Sequence, residues 1–142
     1  MQIEPNVPSV VAARVIFSVD LRHPDTEILA DLAGRVDAIC RREASICEVG
    51  IWQIAEAQSI RFSELVVNTI QAASERLGLA NMRIFSGAGH DARQLHSVCP
   101  TGMIFVPCEK GISHNEAENA TPSDLAAGTR VLVETLLELA EI

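Results

Sequence analysis

The chain has 142 residues, a net charge of −8 and a hydrophobic fraction of 48%, a composition typical of a globular domain rather than a disordered one. It has no run of lysine or arginine and only 4% aromatic residues. This argues against nucleic acid and anionic membrane surfaces as partners, because both require clustered positive charge. No apolar stretch approaches the roughly 20 residues that span a bilayer. Residues 1–7 lack the features of a signal peptide, and we therefore expect a cytoplasmic protein.

The four cysteines are Cys40, Cys47, Cys99 and Cys108, and none of them forms a CxxC pair. Their spacing fits no zinc ribbon. We therefore expect four reduced and mostly buried thiols.

The first predicted element is a strand. Residues 1–9 contain two prolines and show no periodicity, so they are expected to form an extended lead-in. From Arg14 to Leu21, apolar and polar residues largely alternate, which predicts a half-buried strand. Pro24 is expected to end this region because proline has no N–H to donate to a strand ladder.

A helix and a second strand are predicted next. Asp25 or Thr26 is expected to cap a helix that runs to about Glu43, with its apolar residues on one face. Ile46 to Glu56 is rich in β-branched and apolar residues, which predicts a strand. The first part of the chain is thus predicted to be a strand–helix–strand unit.

The second part begins with a helix whose N-cap is Ser63 and which ends before Gly78. Residues 82–85 are predicted to form a short strand. A glycine-rich turn follows this strand, and Asp91 is expected to start a short helix that runs through His96.

Residues 103–106 are continuously apolar, which predicts a strand buried on both faces, as in a parallel sheet. A polar loop follows, and Thr121 and Pro122 are expected to begin the last helix as its cap and first residue. The order helix–strand–helix–strand–helix from Phe62 onward predicts an α/β layered sheet.

Two clusters carry candidate chemistry: SGAGHDA (residues 86–92) and GISHNEAE (residues 111–118). Each follows a predicted strand, and sites in open α/β sheets form at such strand ends. We therefore expect His90 and His114 to share a cleft. His90 is a possible donor, base or ligand, and His114 a possible metal ligand with a nearby carboxylate on its other nitrogen. For SGAGHDA the alternative is a plain strand-to-helix turn with a surface histidine. For GISHNEAE it is a solvated polar loop.

Arg22 is a further candidate because it ends the first predicted strand. Its guanidinium offers a bidentate fork for a carboxylate. The alternative is a rim residue paired with Asp20 or Asp25. The chain has no GxSxG, HExxH or phosphate-loop motif, so serine-hydrolase and nucleotide-binding functions have no support.

Four segments together resemble a known family. They are VIFSVDLRHPD (15–25), SGAGHDA (86–92), CPTGMIFVPCEKGISHN (99–115) and TPSDLAAGTRVL (121–132). In order and spacing they are similar to the C-terminal third of the N-carbamoyl-L-amino-acid hydrolase, β-ureidopropionase and allantoate amidohydrolase group. This group belongs to the co-catalytic metallopeptidases related to aminoacylases and carboxypeptidases.

The resemblance implies a fold and a set of roles. Residues 1–58 would be part of a lid and dimerisation domain, and residues 59–142 the C-terminal portion of a metallohydrolase catalytic domain. His114 would be a metal ligand, Gly89 and His90 would contact the substrate and its developing oxyanion, and Arg22 would hold the substrate carboxylate, often across a dimer interface. Two divalent ions, zinc or manganese, would share a water in the complete enzyme.

The sequence also departs from the family pattern. Members usually carry an asparagine thirteen positions before the arginine of DLR, where this chain has Ser9. The family's other metal ligands are a histidine, a bridging aspartate, two glutamates and a further histidine. All of them lie N-terminal to the region that this chain matches. The ligand set is therefore expected to be incomplete and the chain inactive alone.

Three functions follow from the resemblance. The first is a metal-dependent hydrolase of linear C–N bonds in carbamoyl or ureido compounds, represented by a C-terminal part that needs a missing N-terminal segment. The second is a non-catalytic dimerisation or binding module, and the third is one half of a split amidohydrolase. Strand edges without partners lead us to expect an oligomer such as a homodimer, or aggregation.

Overall fold

A computed structural model describes residues 1–141 of the chain. The described elements, in chain order, are β1 (Gln2–Glu4), β2 (Arg14–Ile16), α1 (Thr26–Glu43), α2 (Glu64–Arg76), α3 (Ala92–Leu95), a 3₁₀ turn (Glu109–Gly111) and α4 (Pro122–Ala140). Contacts divide the chain into two compact units, Met1–Ser59 and Ile60–Ile142. The fold is mixed, with helices predominating and one small sheet.

That sheet consists of β1 and β2 in antiparallel pairing, with Gln2 opposite Ile16 and Glu4 opposite Arg14. The predicted strand at 14–21 begins where expected but ends at Ile16. The predicted lead-in at 1–9 is wrong for Gln2–Glu4, which forms the partner strand. Pro5 has no N–H to donate, so the ladder stops after three pairs.

Helix α1 has the predicted bounds and the predicted cap. The carboxylate of Asp25 accepts hydrogen bonds from the backbone N–H groups of Glu27 (2.8 Å) and Ile28 (3.2 Å). Its inner face is half-buried and comprises Leu29, Leu32, Val36 and Cys40. The predicted amphipathic pattern therefore identified the helix and most of its inner face.

The strand predicted at residues 46–56 is wrong, because this segment has no regular secondary structure. Most of it is exposed, and the Trp52 side chain is 72% exposed. A strand requires hydrogen bonds from a neighbour, and in the part of the chain described the only strand pair is β1 with β2. Apolar content alone does not supply such a neighbour.

The second unit is built on α2 and α4, which pack against each other. Its buried residues on these helices are Thr69, Ala73, Ser74, Val131 and Thr135. The three buried hydroxyls each donate to the carbonyl four residues earlier, so they are satisfied inside their own helices. An ion pair between Arg76 and Glu138 (2.6 Å) joins the two helices.

The predicted ends of these helices are confirmed. Gly78 follows the end of α2 with φ +66°, a conformation that glycine adopts at little cost. Thr121 caps α4 by accepting from the backbone N–H of Asp124 (3.1 Å), and Pro122 is the first helical residue. Ser63 occupies the N-cap position of α2, but its side chain makes no capping bond.

The strands predicted at residues 82–85 and 103–106 are wrong: neither segment has a strand ladder within residues 1–141. The first is held instead by Arg83, whose guanidinium donates to Gln71, Asn68 and Glu64 around α2. Side-chain tethering to a helix therefore replaces the predicted pairing.

The second of these segments lies against α2 and α4 through two glycines. A Cβ at Gly102 would lie 2.8 Å from Cγ1 of Val66 on α2. A Cβ at Gly128 on α4 would lie 2.6 Å from Cγ1 of Val106. The segment leading to the second cluster is thus fixed by close backbone approach, which only glycine permits at this separation.

The second unit leaves many large apolar side chains exposed, including Phe85, Phe105, Leu132 and Leu136. The whole chain exposes 11347 Å². Two separate compact units of these lengths would together expose only about 8,600 Å² by the size scaling of monomeric proteins. Only Ala73 and Val131 are buried apolar residues in the part of the chain described. The molecule therefore has more apolar surface than its own core covers.

Two further expectations are tested by this structure. All four cysteines are free, but Cys47 and Cys99 are exposed and the other two half-buried, so the prediction of mostly buried thiols is wrong. Among the helices of residues 1–141, none is long and apolar enough to cross a membrane.

Candidate functional site

The first cluster, SGAGHDA, forms a turn that closes through its own side chains. Oγ of Ser86 lies 2.6 Å from Nε2 of His90. The backbone N–H of Ala88 donates to the same hydroxyl oxygen at 3.3 Å. The short helix α3 follows from Ala92, close to its predicted start, although Asp91 makes no side-chain cap. The imidazole is therefore held by a residue inside its own turn.

The ring of His90 is also held from outside the turn. Its centroid lies 5.5 Å from that of Phe105, with 64° between the ring planes, an edge-to-face arrangement. Phe105 belongs to the segment that leads to the second cluster. The imidazole is half-buried between these two contacts.

The backbone next to this ring is open. A Cβ added at Gly89 would meet no atom within 4 Å apart from those of Gly89 itself and its two chain neighbours. A small molecule would thus be able to approach the Gly89 backbone closely, as the resemblance implies for this residue.

The second cluster surrounds a histidine in an unusual backbone conformation. His114 has φ +55°, which is rare for a residue with a side chain. Its backbone N–H donates to Oε2 of Glu118 at 2.7 Å, and the thiol of Cys108 lies 3.8 Å from Oε1 of the same carboxylate. The sequence predicted a nearby carboxylate for the imidazole, but Glu118 binds the backbone instead.

Hydrogen bonds brace the rest of this loop. Glu109 and Asn119 are joined twice, by Glu109 N to Asn119 O (2.7 Å) and by Asn119 Nδ2 to Glu109 Oε2 (2.8 Å). Oδ1 of Asn115 accepts from the backbone N–H of Ala117 at 2.9 Å. The backbone is thus fixed at both ends of the loop, while the His114 side chain is exposed.

The residues present fit one ligand of a metal centre rather than a whole centre. His114 offers a neutral nitrogen donor, which suits zinc or manganese. Among residues 1–141 no group of three His, Cys, Asp or Glu residues is placed to hold an ion. Within the same residues, no hydrogen bond or ring contact joins His90 with His114. The two histidines therefore do not contact each other directly, and the cleft that they are predicted to share stays a prediction.

Arg22 lies in the first unit and is paired with Asp20. Its Nε is 3.1 Å from both carboxylate oxygens, and Nη2 is 2.5 Å from Oδ2. The hydrogen bonds from Arg22 hold the pKa of Asp20 below its usual value, and Asp20 correspondingly raises the pKa of Arg22. The sequence left open that Arg22 is a surface residue paired with Asp20 or Asp25, and the structure shows the pair with Asp20. Both side chains are more than half exposed. The implied binding of a substrate carboxylate stays a prediction.

Ser9, where the family usually has asparagine, has φ +68°. Asparagine is one of the few residues with a side chain that tolerates this region. The family's usual residue would therefore suit the local backbone better than the serine of this chain.

Sequence reasoning missed two residues that hold His90, namely Ser86 and Phe105. Ser86 precedes His90 by four positions, so a search at that spacing would have found it as a partner of the ring. For Glu118 the sequence predicts a partner of the His114 imidazole, whereas its carboxylate accepts from the backbone N–H. Phe105 is fifteen positions from His90, and no local pattern points to it.

Comparison with known proteins gives a consistent result over nearly the whole chain. The sequence pattern of the peptidase family M20/M25/M40 matches residues 3–138. An N-carbamoyl-L-amino-acid amidohydrolase of Rhizobium meliloti is 39% identical, with 100% of this chain and 35% of the relative covered. An allantoate amidohydrolase of Escherichia coli is 34% identical, with 96% and 34% covered.

A solved structure agrees with these relatives. An amidase of the hydantoinase/carbamoylase family from Burkholderia multivorans superposes with a TM-score of 0.93 at 42% identity, covering 96% of this chain and 34% of that one. The chain therefore spans about one third of the length of the relatives that it matches.

Proposed function

The chain belongs to the peptidase family M20/M25/M40, and on this premise we propose that it takes part in the hydrolysis of linear C–N bonds in carbamoyl or ureido compounds. One observation carries the proposal. In the turn SGAGHDA, the ring of His90 is fixed by Ser86 and Phe105 next to the open backbone at Gly89. Relatives that match the chain over its length are named for the hydrolysis of N-carbamoyl amino acids and allantoate.

His90 acts in this proposal as the catalytic residue of the chain. Its ring N–H donates to the substrate carbonyl oxygen as that oxygen gains negative charge. A fixed donor aimed at a developing oxyanion is worth about 10²- to 10³-fold in rate. Gly89 lets the substrate backbone or carbonyl approach closely, and Arg22 binds the substrate carboxylate through its guanidinium fork.

His114 is proposed as the one metal ligand that this chain supplies. The family is generally metal-dependent, and when bound, its ions lower the pKa of the attacking water and polarise the carbonyl oxygen. The carboxylate of Glu118 binds the backbone N–H of His114, and the side chain of His114 is exposed. The remaining ligands have to come from further polypeptide.

The chain alone is proposed to bind metal weakly and to be inactive. Its apolar surface exceeds what its core covers, which favours association with further polypeptide, whether part of the same chain or a separate subunit. The same surface favours the split-enzyme alternative as a second candidate. We also propose that the protein is cytoplasmic and that it dimerises through its first unit.

A hybrid enzyme tests the proposal. The matching third of the Rhizobium meliloti relative is replaced by this chain, and release of ammonia from an N-carbamoyl-L-amino acid and from allantoate is measured with added zinc or manganese. We expect turnover of at least one substrate by the hybrid enzyme and none by the 142-residue chain. Co-expression of this chain with the remaining two thirds as a separate polypeptide tests the split arrangement.

Each outcome has a defined meaning. A folded, metal-loaded hybrid enzyme that hydrolyses neither compound would overturn the proposed function. Robust hydrolysis by the chain alone would overturn its proposed inactivity. His90→Gln in the hybrid enzyme is the matched control, since it keeps a polar side chain of similar length and is expected to remove most of the turnover.

A further inference from the structure

The direction of the hydrogen bond between Ser86 and His90 depends on which of the two ring nitrogens of His90 carries the proton. A serine hydroxyl has one proton to donate and two lone pairs to accept with. The backbone N–H of Ala88 already donates to Oγ of Ser86 at 3.3 Å. Ala88 uses one lone pair, which leaves the hydroxyl proton available to point towards Nε2 of His90, and the length of the contact decides between this direction and the opposite one.

The length of the contact favours the same direction. Oγ of Ser86 and Nε2 of His90 are 2.6 Å apart. N–H donors to oxygen commonly make bonds of about 2.7–3.2 Å, and this contact is shorter than that range. A bond of this length is therefore better explained by O–H of Ser86 donating to Nε2 than by Nε2–H donating to Oγ.

Two hydrogen bonds in series then run the same way, from Ala88 N–H to Ser86 Oγ and from Ser86 O–H to His90 Nε2. Bonds aligned in this manner polarise and strengthen one another. With Nε2 accepting, the neutral ring carries its proton on Nδ1.

We propose that Ser86 is a positioning residue that fixes His90 in the Nδ1–H tautomer, so that Nδ1–H is the ring's hydrogen-bond donor to the substrate. The inference rests on the proposed function for the role of that donor, but the tautomer itself is a property of this chain. Phe105 contacts the same ring edge-to-face, so the serine and the aromatic ring together set its orientation.

NMR on the 142-residue chain tests the tautomer without any turnover. Histidine is labelled with ¹⁵N, and the ring nitrogen shifts are recorded at about pH 8, above the ordinary histidine pKa of about 6.5. The His90 signals are identified by their loss in His90→Gln. We expect protonated Nδ1 and unprotonated Nε2 in the wild type, and a shift towards the Nε2–H tautomer in Ser86→Ala.

Two variants keep the result interpretable. Ser86→Thr retains a hydroxyl and is expected to keep the wild-type shifts. Ser97→Ala removes a hydroxyl that donates to the Gln94 carbonyl (2.7 Å), and it is expected to leave the His90 signals unchanged. A protonated Nε2 in the wild-type chain, or the same tautomer in Ser86→Ala as in the wild type, would overturn the proposal.

Kinetics then separate this inference from the proposed function. In the hybrid enzyme, Ser86→Ala is expected to lower kcat about tenfold or more with KM changed less than about twofold, because the donor acts on the transition state. Ser86→Thr is expected to restore kcat. The expected shifts combined with an inactive hybrid enzyme would overturn the function and leave the tautomer assignment standing. An active hybrid enzyme without the expected shifts would overturn only the assignment of the His90 tautomer.

Discussion

The two candidate histidines are held in opposite ways. The ring of His90 is fixed by the Ser86 hydroxyl and the Phe105 ring, while nothing unusual is required of its backbone. His114 is held through its backbone, at φ +55° with its N–H bonded to Glu118, and its ring is exposed.

This difference suits the two proposed tasks. A donor to a developing oxyanion must be aimed before the reaction, so its ring has to be fixed by the protein. A metal ligand gains its final orientation from the ion and the other ligands, and the chain needs only to present it. Holding the side chain in one loop and the backbone in the other is therefore consistent with a substrate side and a metal side.

Removing each ring should give the largest effects and the sharpest contrast. His90→Ala is expected to lower kcat of the hybrid enzyme by about 10²- to 10³-fold with its metal content unchanged. His114→Ala is expected to lower activity at least as much and to lose bound metal, since a ligand is gone. Metal content by mass spectrometry and kcat are measured on both variants. Equal metal loss in both would remove the distinction between the two loops.

Loosening the backbone of the second loop should have the next largest effect. Glu118→Ala removes the acceptor of the His114 N–H and is expected to weaken metal binding of the hybrid enzyme by about 10- to 100-fold, the usual cost of losing a supporting partner. Glu116→Ala is the matched control, since it removes an exposed carboxylate from the same loop. Metal titration measures both. Equal effects from the two variants would indicate loss of charge rather than loss of backbone support.

Loosening the ring of His90 should have a smaller effect. Phe105→Leu removes the edge-to-face contact, and such pairs contribute about 0.5–1.5 kcal/mol. We expect kcat of the hybrid enzyme to fall by no more than about tenfold, with metal affinity unchanged. Phe62→Leu is the control, because Phe62 makes a similar contact (5.7 Å between centroids) with His96 instead. A loss of metal in Phe105→Leu would show that the two loops are not held independently.

Arg22 shows a third manner of holding, in which an exposed ion pair aligns the guanidinium. The hydrogen bonds from Arg22 lower the pKa of Asp20 below its ordinary value, and Arg22→Ala should move this pKa back towards the ordinary value, as measured by carboxyl ¹³C NMR. Because the folded pKa is lowered, the stabilisation is present above the unfolded pKa and is lost as pH falls through the folded one. High salt should reduce the shift, and Arg35→Ala should leave it unchanged.

The sequence predicted the helices far better than the strands. Capping residues and apolar spacing are local signals, and Asp25, Gly78 and Thr121 ended or began helices where expected. Strands depend on a partner elsewhere in the chain. Residues 82–85 and 103–106 have strand-like composition, yet within residues 1–141 the ladder joins only β1 and β2.

In the candidate site, too, local motifs could be predicted from the sequence and contacts from distant residues could not. Glycine-rich and histidine-bearing motifs pointed to His90 and His114, and the resemblance to a family supplied their roles. The residues that hold them were harder to find. Phe105 approaches His90 through tertiary packing, and the bond that the His114 backbone N–H donates to Glu118 accompanies a left-handed φ that no composition predicts.

At position 114, the residue that best suits the positive φ of the backbone is not the residue that can bind a metal. Glycine and asparagine adopt this conformation more easily than histidine, so either one would relax the loop while removing the nitrogen donor. Histidine is therefore expected to persist there only while metal binding is under selection. In homologous chains that have lost the activity, position 114 is where we expect glycine or asparagine to appear first.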